Sequence, residues 1–486
     1  MRMVREPLSV RADRAAGRLC AAAPKSALSR MVFGGVMAAL LSGLVAAYNV
    51  SAGPLRNLND IGGWDNRLLF ILMTAAVQGL LLLAAAFVHR GGYARLALRQ
   101  VILTAGFVIM LLPINQKTLA FTGQTLPLIR DMDAQGLAAI AGMQTNQSSA
   151  AMTLLYLITR GPVYDMYMVK LACCAAMCAL GLAVLVAGER MRLGVRADAL
   201  FALSLILPQG FMSAACAAQT GVIAAALMAV SLLLLTGERP RLWAGALCYG
   251  AAAAVCGAAL YALPVYAALM LRGRLKARHM LAALCLMLLA QIPAIIAGQS
   301  AAAALLSPLR ALFGAPQYAS GVPNIMSIFP RAAMEEMPEY FLISHLPAVD
   351  PVTNFSPFFT QANIEIVMRG FAVLGLAIYA MVWMMTLRSR MDDTGRAFTL
   401  TLAAMLVCPG ADAGMWLLLS AFALLAIFVQ PKLRLAACVT LFAMAGAAAY
   451  PVTGEVLLPM IAAMGLCLLA LFMLLGMFPA EEEDCE

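Results

Sequence analysis

The sequence predicts an all-α integral membrane protein with about fourteen transmembrane helices. Hydrophobic residues make up 63% of the 486 residues and charged residues only 12%, whereas an ordinary soluble protein has about 45–50% and about 25%. Apolar runs close to the ~20 residues that a helix needs to cross the hydrocarbon core recur from Met31 to Phe478. This composition excludes a water-soluble enzyme, because a folded chain of this length leaves much of its surface facing solvent.

Basic residues separate the apolar runs and set the limits of the predicted helices. The first run follows seven basic residues and has no small-residue cleavage site, so we interpret it as a retained first span. Residues 1–30 then form a basic cytoplasmic segment, 31–478 the transmembrane domain and 479–486 an acidic cytoplasmic tail. In chain order, the predicted spans are 31–50, 68–88, 101–117, 168–187, 199–216, 221–237, 242–257, 260–271, 280–299, 365–387, 397–412, 415–429, 435–449 and 457–478.

The distribution of Lys and Arg predicts the orientation of these spans. With the N-terminus inside, 24 of the 33 basic residues fall in cytoplasmic segments, which is the bias that membrane insertion produces. The net charge of +9 therefore reflects topology, and no nucleic-acid partner is expected. The regions 199–237, 242–271 and 397–429 become tight hairpins with outward turns. Both termini are predicted to be cytoplasmic, and the protein to lie in a bacterial plasma membrane.

Two long outer segments, 113–167 and 300–363, are where chemistry is expected. The first contains a short amphipathic helix over 129–140, and this helix carries Asp131 and Asp133 beside Arg130. A D-x-D pair can bind a divalent cation such as Mg²⁺ or Mn²⁺, or provide a general base. Alternatively, the two carboxylates form only the solvated face of the helix. The cysteines and histidines show no zinc-ligand spacing and no disulfide framework.

Four further polar residues lie near the predicted outer surface or inside broken spans. Asp165 precedes Lys170 by about one helical turn, which makes an ion pair within the helix available; the alternative is an interfacial lysine that snorkels to water. Asp412 lies in a Gly/Pro-broken turn, where an ionisable group indicates function unless the turn is shallow and hydrated. Gln219 lies at the turn of the first hairpin and could contact substrate or bridge helices.

Several short segments follow one another in an order typical of a known enzyme class. An acidic outer loop ends in Gly161-Pro-Val-Tyr164, just before a span. Pro208 then precedes the turn Ala217-Ala-Gln-Thr-Gly221, and a Leu-Pro pair closes Ala259-Leu-Tyr-Ala-Leu-Pro264. After the second long loop come Pro323-Asn324 and the late turn Pro409-Gly-Ala-Asp-Ala-Gly-Met415.

From about residue 100 to 430 this order resembles the GT-C class of polytopic glycosyltransferases, especially bacterial proteins similar to the GPI-type mannosyltransferases. Several polar motif residues of that class are replaced here. Only Gln219 remains of its Trp-Gly-Gln-x-Asp turn, the lysine before the Leu-Pro pair is absent, and the late turn lacks His-Glu-Arg. Two extra spans, 31–50 and 68–88, precede the similar part.

The resemblance implies a bundle with an extracytoplasmic cavity under the two long loops, and transfer of a mannose-like sugar from a polyprenyl-phosphate donor to a glycan or lipid acceptor. Asp131 is then the first choice for the general base and Asp133 the second. Basic groups would hold the donor phosphate, and the second outer loop would replace the missing contacts. The basic candidates are Arg130, Arg160 and Arg331; the loop candidates are Asn324, Glu335, Glu336, Glu339 and Asp350.

Two other functions fit the same sequence. A flippase or transporter for lipid-linked glycans also uses many spans with Pro and Gly breaks, although both long loops here lie on one predicted face and no half-to-half similarity is visible. A GT-C homologue that has lost catalysis and serves in assembly is the third interpretation.

Overall fold

A computed structural model of the chain describes residues 26–58, 62–118, 121–142, 147–161, 165–237, 239–313, 322–325, 361–389, 391–409, 414–449 and 457–474. In these ranges all regular structure is helical. Large apolar side chains cover much of the outside, among them Phe87 at 72% and Phe442 at 80% exposure. Lipid is the solvent in which such a surface is stable. The prediction of an all-α membrane protein is thereby confirmed.

The described ranges contain sixteen helices of nine or more residues. They are α1 (Ala27–Ser51), α2 (Trp64–Val88), α3 (Tyr93–Leu111), α4 (Leu126–Gln135), α5 (Ser149–Thr159), α6 (Asp165–Arg190), α7 (Val195–Ile206), α8 (Gly221–Thr236), α9 (Leu242–Val255), α10 (Leu263–Leu271), α11 (Ala277–Leu289), α12 (Gln361–Arg388), α13 (Asp393–Val407), α14 (Leu417–Val429), α15 (Arg434–Ala448) and α16 (Leu457–Leu474).

Seven helical segments in the described part are long and apolar enough to cross a membrane, and a bent pair of helices makes an eighth. The pair is Val195–Ile206 with Pro208–Cys216, which meet at 45°. The number fourteen is therefore not confirmed, because several predicted spans form shorter apolar helices. The seven are Ala27–Ser51, Trp64–Val88, Tyr93–Leu111, Met166–Arg190, Ala277–Ile296, Arg369–Arg388 and Pro431–Ala448.

Each of the three predicted hairpins contains a break in its helices. α7 stops at Leu207 (φ −58°, ψ 127°) before Pro208, whose ring cannot donate a helical hydrogen bond. α9 ends at the extended residue Cys256, and a 3₁₀ turn over Gly257–Ala262 leads into α10. α13 ends at the extended Cys408, directly before Pro409. Local Pro and Gly chemistry thus sets the breaks.

Loops from widely separated parts of the chain gather at one end of the bundle, which we call the basic end. Arg95 Nη2 donates to the Gly194 carbonyl at 2.6 Å, and Arg190 Nη1 donates to the Leu233 carbonyl at 2.5 Å. Arg274 Nη1 lies 3.1 Å from Asp393 Oδ2. The basic end comprises the loops around 89–95, 190–196, 236–241, 272–276 and 389–396; that it faces the cytoplasm stays a prediction from the Lys/Arg bias.

Small residues let helices approach closely inside the bundle. A Cβ at Gly250 of α9 would overlap the Ala283 carbonyl oxygen of α11. A Cβ at Gly375 of α12 would overlap the Val407 carbonyl oxygen of α13. Real Cβ atoms do not approach backbone so closely, so glycine is required for these two contacts. Close backbone contact at small residues is the usual way that helices associate in lipid.

Candidate functional site

The predicted amphipathic helix forms as α4, a 3₁₀ turn over Gly136–Ala138 and a last turn over Ala139–Gly142. Ile129 and Met132 bury one face of α4, and Asp131 and Asp133 are exposed. Residues two apart on a helix are about 200° apart around its axis, so they do not face one another.

The geometry of α4 therefore does not support the predicted metal site of Asp131 and Asp133. The two side chains leave the helix in nearly opposite directions, because residues two apart lie about 200° apart around its axis. In the described part of the chain, no group of three or more His, Cys, Asp or Glu residues could hold a metal ion. The carboxylates do occupy the solvated face of the helix, as the alternative interpretation expects.

Arg160, at the end of α5, contacts α4 directly. Its Nη2 donates to the Met132 carbonyl at 3.0 Å, and its guanidinium carbon lies 4.6 Å from the centre of the Tyr156 ring. Arg160 itself is exposed, as is Arg130 on α4. The structure thus brings the basic candidates Arg130 and Arg160 to the helix that carries the two carboxylates.

Lys170, in the second turn of α6, is completely buried. Its Nζ donates to the carbonyl oxygens of Ile114 at 2.8 Å and Gln116 at 2.5 Å. The centre of the Phe121 ring lies 5.2 Å from Nζ. Among the side chains that the structure describes, no carboxylate forms an ion pair with this ammonium. A snorkelling role is wrong, since a completely buried ammonium does not reach water.

The turn at the first hairpin packs beside the same part of α6. Cys173 Sγ, one turn after Lys170, donates to the Gln219 carbonyl at 3.5 Å. Thr118 Oγ1, in the loop that holds Lys170, donates to the Cys216 carbonyl at 3.3 Å. We call Lys170, Cys173, Cys216 and Gln219, with the carbonyls of Ile114 and Gln116, the lysine site.

Two features of this turn are typical of a functional site. Ala218 has φ +51°, a left-handed conformation that costs a residue with a Cβ about 1–2 kcal/mol. The Oε1 atom of its neighbour Gln219 is buried and has no hydrogen-bond partner among the described residues. Strained backbone clusters at functional sites, and a buried polar atom without a partner in the protein is free to bond a water or a bound group.

Asn324 has a structural position that the sequence did not predict. It is completely buried, and its Nδ2 donates to the Met405 carbonyl at 2.5 Å and the Cys408 carbonyl at 2.9 Å. These carbonyls lie at the C-terminal end of α13, where a helix has no partners of its own for them. The amide nitrogen of Asn324 is therefore engaged in capping a broken helix, which accounts for it without substrate.

The other predicted site residues fall partly or wholly outside the described residues. Asp165 begins α6, but its side chain is not among those that the structure describes. Its pairing with Lys170 therefore stays a prediction. Both Arg331 and Asp412 lie outside them, as do the acidic residues predicted for the second loop. Of the predicted set, the structure thus gathers Lys170 with Gln219, and Arg130 and Arg160 with Asp131 and Asp133.

Sequence reasoning missed the backbone of the lysine site. The carbonyls of Ile114 and Gln116 and the strained Ala218 carry no residue-type signal, because any residue can supply a carbonyl. The polar run Asn115-Gln-Lys117 at the end of an apolar stretch was the available hint. This polar run indicated that the chain reaches a membrane surface there, but it did not indicate which side chain would contact its carbonyl groups.

Comparison with known proteins finds no relative: no protein-family model, no curated protein and no solved structure matches the chain.

Proposed function

We propose that this protein is an integral membrane glycosyltransferase, which transfers a mannose-like sugar from a polyprenyl-phosphate donor to a glycan or lipid acceptor. The observation that carries the proposal is the complete burial of the Lys170 ammonium, which two backbone carbonyls hold in place. The order of segments that resembles the GT-C class supports the same conclusion from the sequence.

Burying a charge is costly, by several kcal/mol in real proteins, so the position of Lys170 requires a compensating interaction. Ionisable residues in membrane-spanning helices therefore indicate substrate or ion sites by default. Two carbonyl oxygens take two of the three N–H donors of Lys170. The third donor and the positive charge suit a phosphate oxygen of the donor lipid, since charge-assisted hydrogen bonds are the strong ones.

The catalytic carboxylate would come from α4, which packs against both α5 and α6. Asp131 is the proposed general base for the acceptor hydroxyl and Asp133 the second choice; both are exposed and therefore accessible to an acceptor. Arg160 contacts α4 and would help to hold the donor phosphate, with Arg130 and Arg331 as the other basic candidates.

A flippase or transporter for lipid-linked glycans is the second candidate, and the broken helices favour it. The 45° bend between Ile206 and Pro208, and the break after Val407, place irregular backbone among spanning helices. Transporters often build their binding sites at such discontinuous helices.

The test is an assay of the full-length protein in proteoliposomes with a panel of radiolabelled polyprenyl-phosphate hexoses. We expect Lys170→Met to weaken donor binding about 10- to 150-fold, because one charge-assisted hydrogen bond is worth about 1.5–3 kcal/mol. Lys432→Met, which removes an exposed lysine outside the lysine site, is the control and should bind the donor normally.

Asp131→Asn should lower the transfer rate about 10²- to 10⁴-fold without weakening donor binding, because it removes only the base. Full activity of the Asp131→Asn, Asp133→Asn double variant would contradict the assignment of the base. Donor binding without turnover would contradict the transferase. Movement of the donor across the bilayer would then support the transporter. If the donor does not move either, the result would support the non-catalytic homologue.

A further inference from the structure

A cavity of about 310 Å³ opens at the basic end between α6, α8, α10, α13 and α14. This volume is in the range of sites that hold small ligands. Its wall is mostly apolar, with residues such as Val184, Leu232, Val265, Leu418 and Phe422. Arg190 at this end and Lys170 in the lysine site are twenty residues apart on α6, hence about 30 Å apart. The cavity is therefore separate from the site of the proposed function.

Four arginines and one carboxylate line the same cavity. Arg272 contacts Asp393 Oδ1, Arg274 Nη1 lies 3.1 Å from Asp393 Oδ2, and Arg396 Nη1 lies 3.5 Å from Asp393 Oδ1. Arg190 is the fourth. The nearby Asp392 is not part of the lining; its Oδ1 accepts from the Gly395 backbone N–H at 2.8 Å.

Among the described lining residues, Arg272, Arg274 and Arg396 share Asp393 as their one carboxylate partner, so positive charge predominates there. Arg396 is 4% exposed and is fixed by the Thr386 carbonyl, to which its Nε donates at 3.0 Å. Its charge is thus held in place. Arg272 and Arg274 are exposed, with 40% and 55% of their side chains accessible, and can turn towards a ligand. Clustered guanidinium groups attract an anion, and their fork geometry suits phosphate.

We propose that this cavity binds an anionic membrane lipid from the leaflet at the basic end, with its phosphate among the arginines and the start of its acyl chain on the apolar wall. The apolar wall suits a lipid better than a free phosphate, because an acyl chain can pack on it and a free phosphate has no apolar group to do so. A nucleotide suits the lining less well, since Phe422 is the one aromatic residue that faces the cavity in the described part.

The experiment measures thermal unfolding of the full-length protein, delipidated in a neutral detergent, with added lipid. The probes are phosphatidylglycerol, phosphatidylcholine with matched chains, and inorganic phosphate. We expect phosphatidylglycerol to raise the unfolding temperature at lower concentrations than phosphatidylcholine by about tenfold or more, and inorganic phosphate to have no effect at these concentrations.

Two kinds of variant separate the head-group and chain contacts. Arg272→Gln with Arg274→Gln should remove the preference for phosphatidylglycerol, whereas Arg239→Gln with Arg241→Gln, in a basic loop outside the cavity, should keep it. Ala187→Phe fills the apolar part with all four arginines present and should weaken binding about tenfold.

Four outcomes would overturn the proposal. They are equal stabilisation by both lipids, an equal response to inorganic phosphate, an unchanged preference in the Arg272/Arg274 double variant, and loss of that preference in the control pair as well.

Discussion

Arg99 of α3 and Asp198 of α7 form a buried ion pair, in which Nε donates to Oδ1 at 2.6 Å. Arg99 Nη1 also lies 2.5 Å from Glu189 Oε1, and Arg95 Nε donates to Asp198 Oδ2 at 2.7 Å. The cluster joins α3 to α6 and α7 at the basic end. The first two helices belong to the same packed bundle, because α1 packs on α2 and α3, and α2 packs on α6.

Asp198→Asn should lower the free energy of unfolding by about 1.5–3 kcal/mol, because it weakens charge-assisted hydrogen bonds. Asp198 contacts both Arg95 and Arg99, and Arg99 keeps Glu189 as a second partner after the substitution. Denaturant unfolding in detergent micelles measures the change. Asp65→Asn, at an exposed position of α2, is the control and should cost less than about 1 kcal/mol. Equal effects of the two substitutions would refute the role of the cluster.

His89 should make the stability of the protein depend on pH below about 6.5. Burial, and to a lesser extent the positive charge of Arg99, lowers the pKa of His89 below its ordinary value of 6.5. Arg99 Nη1 lies 2.8 Å from Nδ1, and Nε2 lies 3.1 Å from the Gly92 carbonyl. The neutral ring with its proton on Nε2 satisfies both contacts, whereas a second proton on Nδ1 would face an N–H donor.

The unfolded chain consequently binds a proton to His89 at a higher pH than the folded protein does. Acidification from pH 7 to pH 5 then favours the unfolded state, by up to about 1.4 kcal/mol per pH unit. His89→Gln keeps an acceptor and a donor but does not titrate. Unfolding curves between pH 5 and 7.5 should therefore be flatter for the variant, and identical curves for both proteins would exclude His89 as the cause.

Ala218→Gly should raise the free energy of unfolding by about 0.5–1 kcal/mol. Glycine relieves the strain of φ +51° at this position but adds freedom to the unfolded chain, which offsets part of the gain. Ala217→Gly is the matched control, since Ala217 has an ordinary φ of −91° and should lose about 0.5–1 kcal/mol. The two neighbours should thus change thermal stability in opposite directions, and a shared direction would show that φ does not decide the effect.

Asn324→Ala should destabilise the protein by about 2–4 kcal/mol, because the buried carbonyls of Met405 and Cys408 lose their donor. Donor-lipid binding, measured at a temperature where the variant is folded, should stay normal if Asn324 acts only as a cap. A folded, equally stable variant with weakened donor binding would instead restore the substrate-binding role that the sequence predicts.

The amino-acid sequence by itself determined the class of the protein and the turn at Cys408-Pro409. Length and hydropathy of a segment decide whether it is stable in lipid, and these are properties of consecutive residues. The break before Pro208 lies inside the predicted span 199–216, although it has the same local cause, the ring of proline. The relative direction of Asp131 and Asp133 is equally local, since residues two apart on any helix lie about 200° apart around its axis.

Only the tertiary structure decided which polar residues meet. Lys170 donates hydrogen bonds to carbonyls more than fifty residues earlier in the chain, and Asn324 caps a helix more than eighty residues later. Arg99 forms an ion pair with Asp198, ninety-nine residues away. The neighbouring sequence does not distinguish Lys170 from a lysine at the membrane interface, or Asn324 from an asparagine in an exposed loop. It also does not distinguish Arg99 from an arginine that only sets the orientation of a span. Their roles depend on how helices pack side by side, and that packing buries some charges against distant partners while it leaves others at the surface.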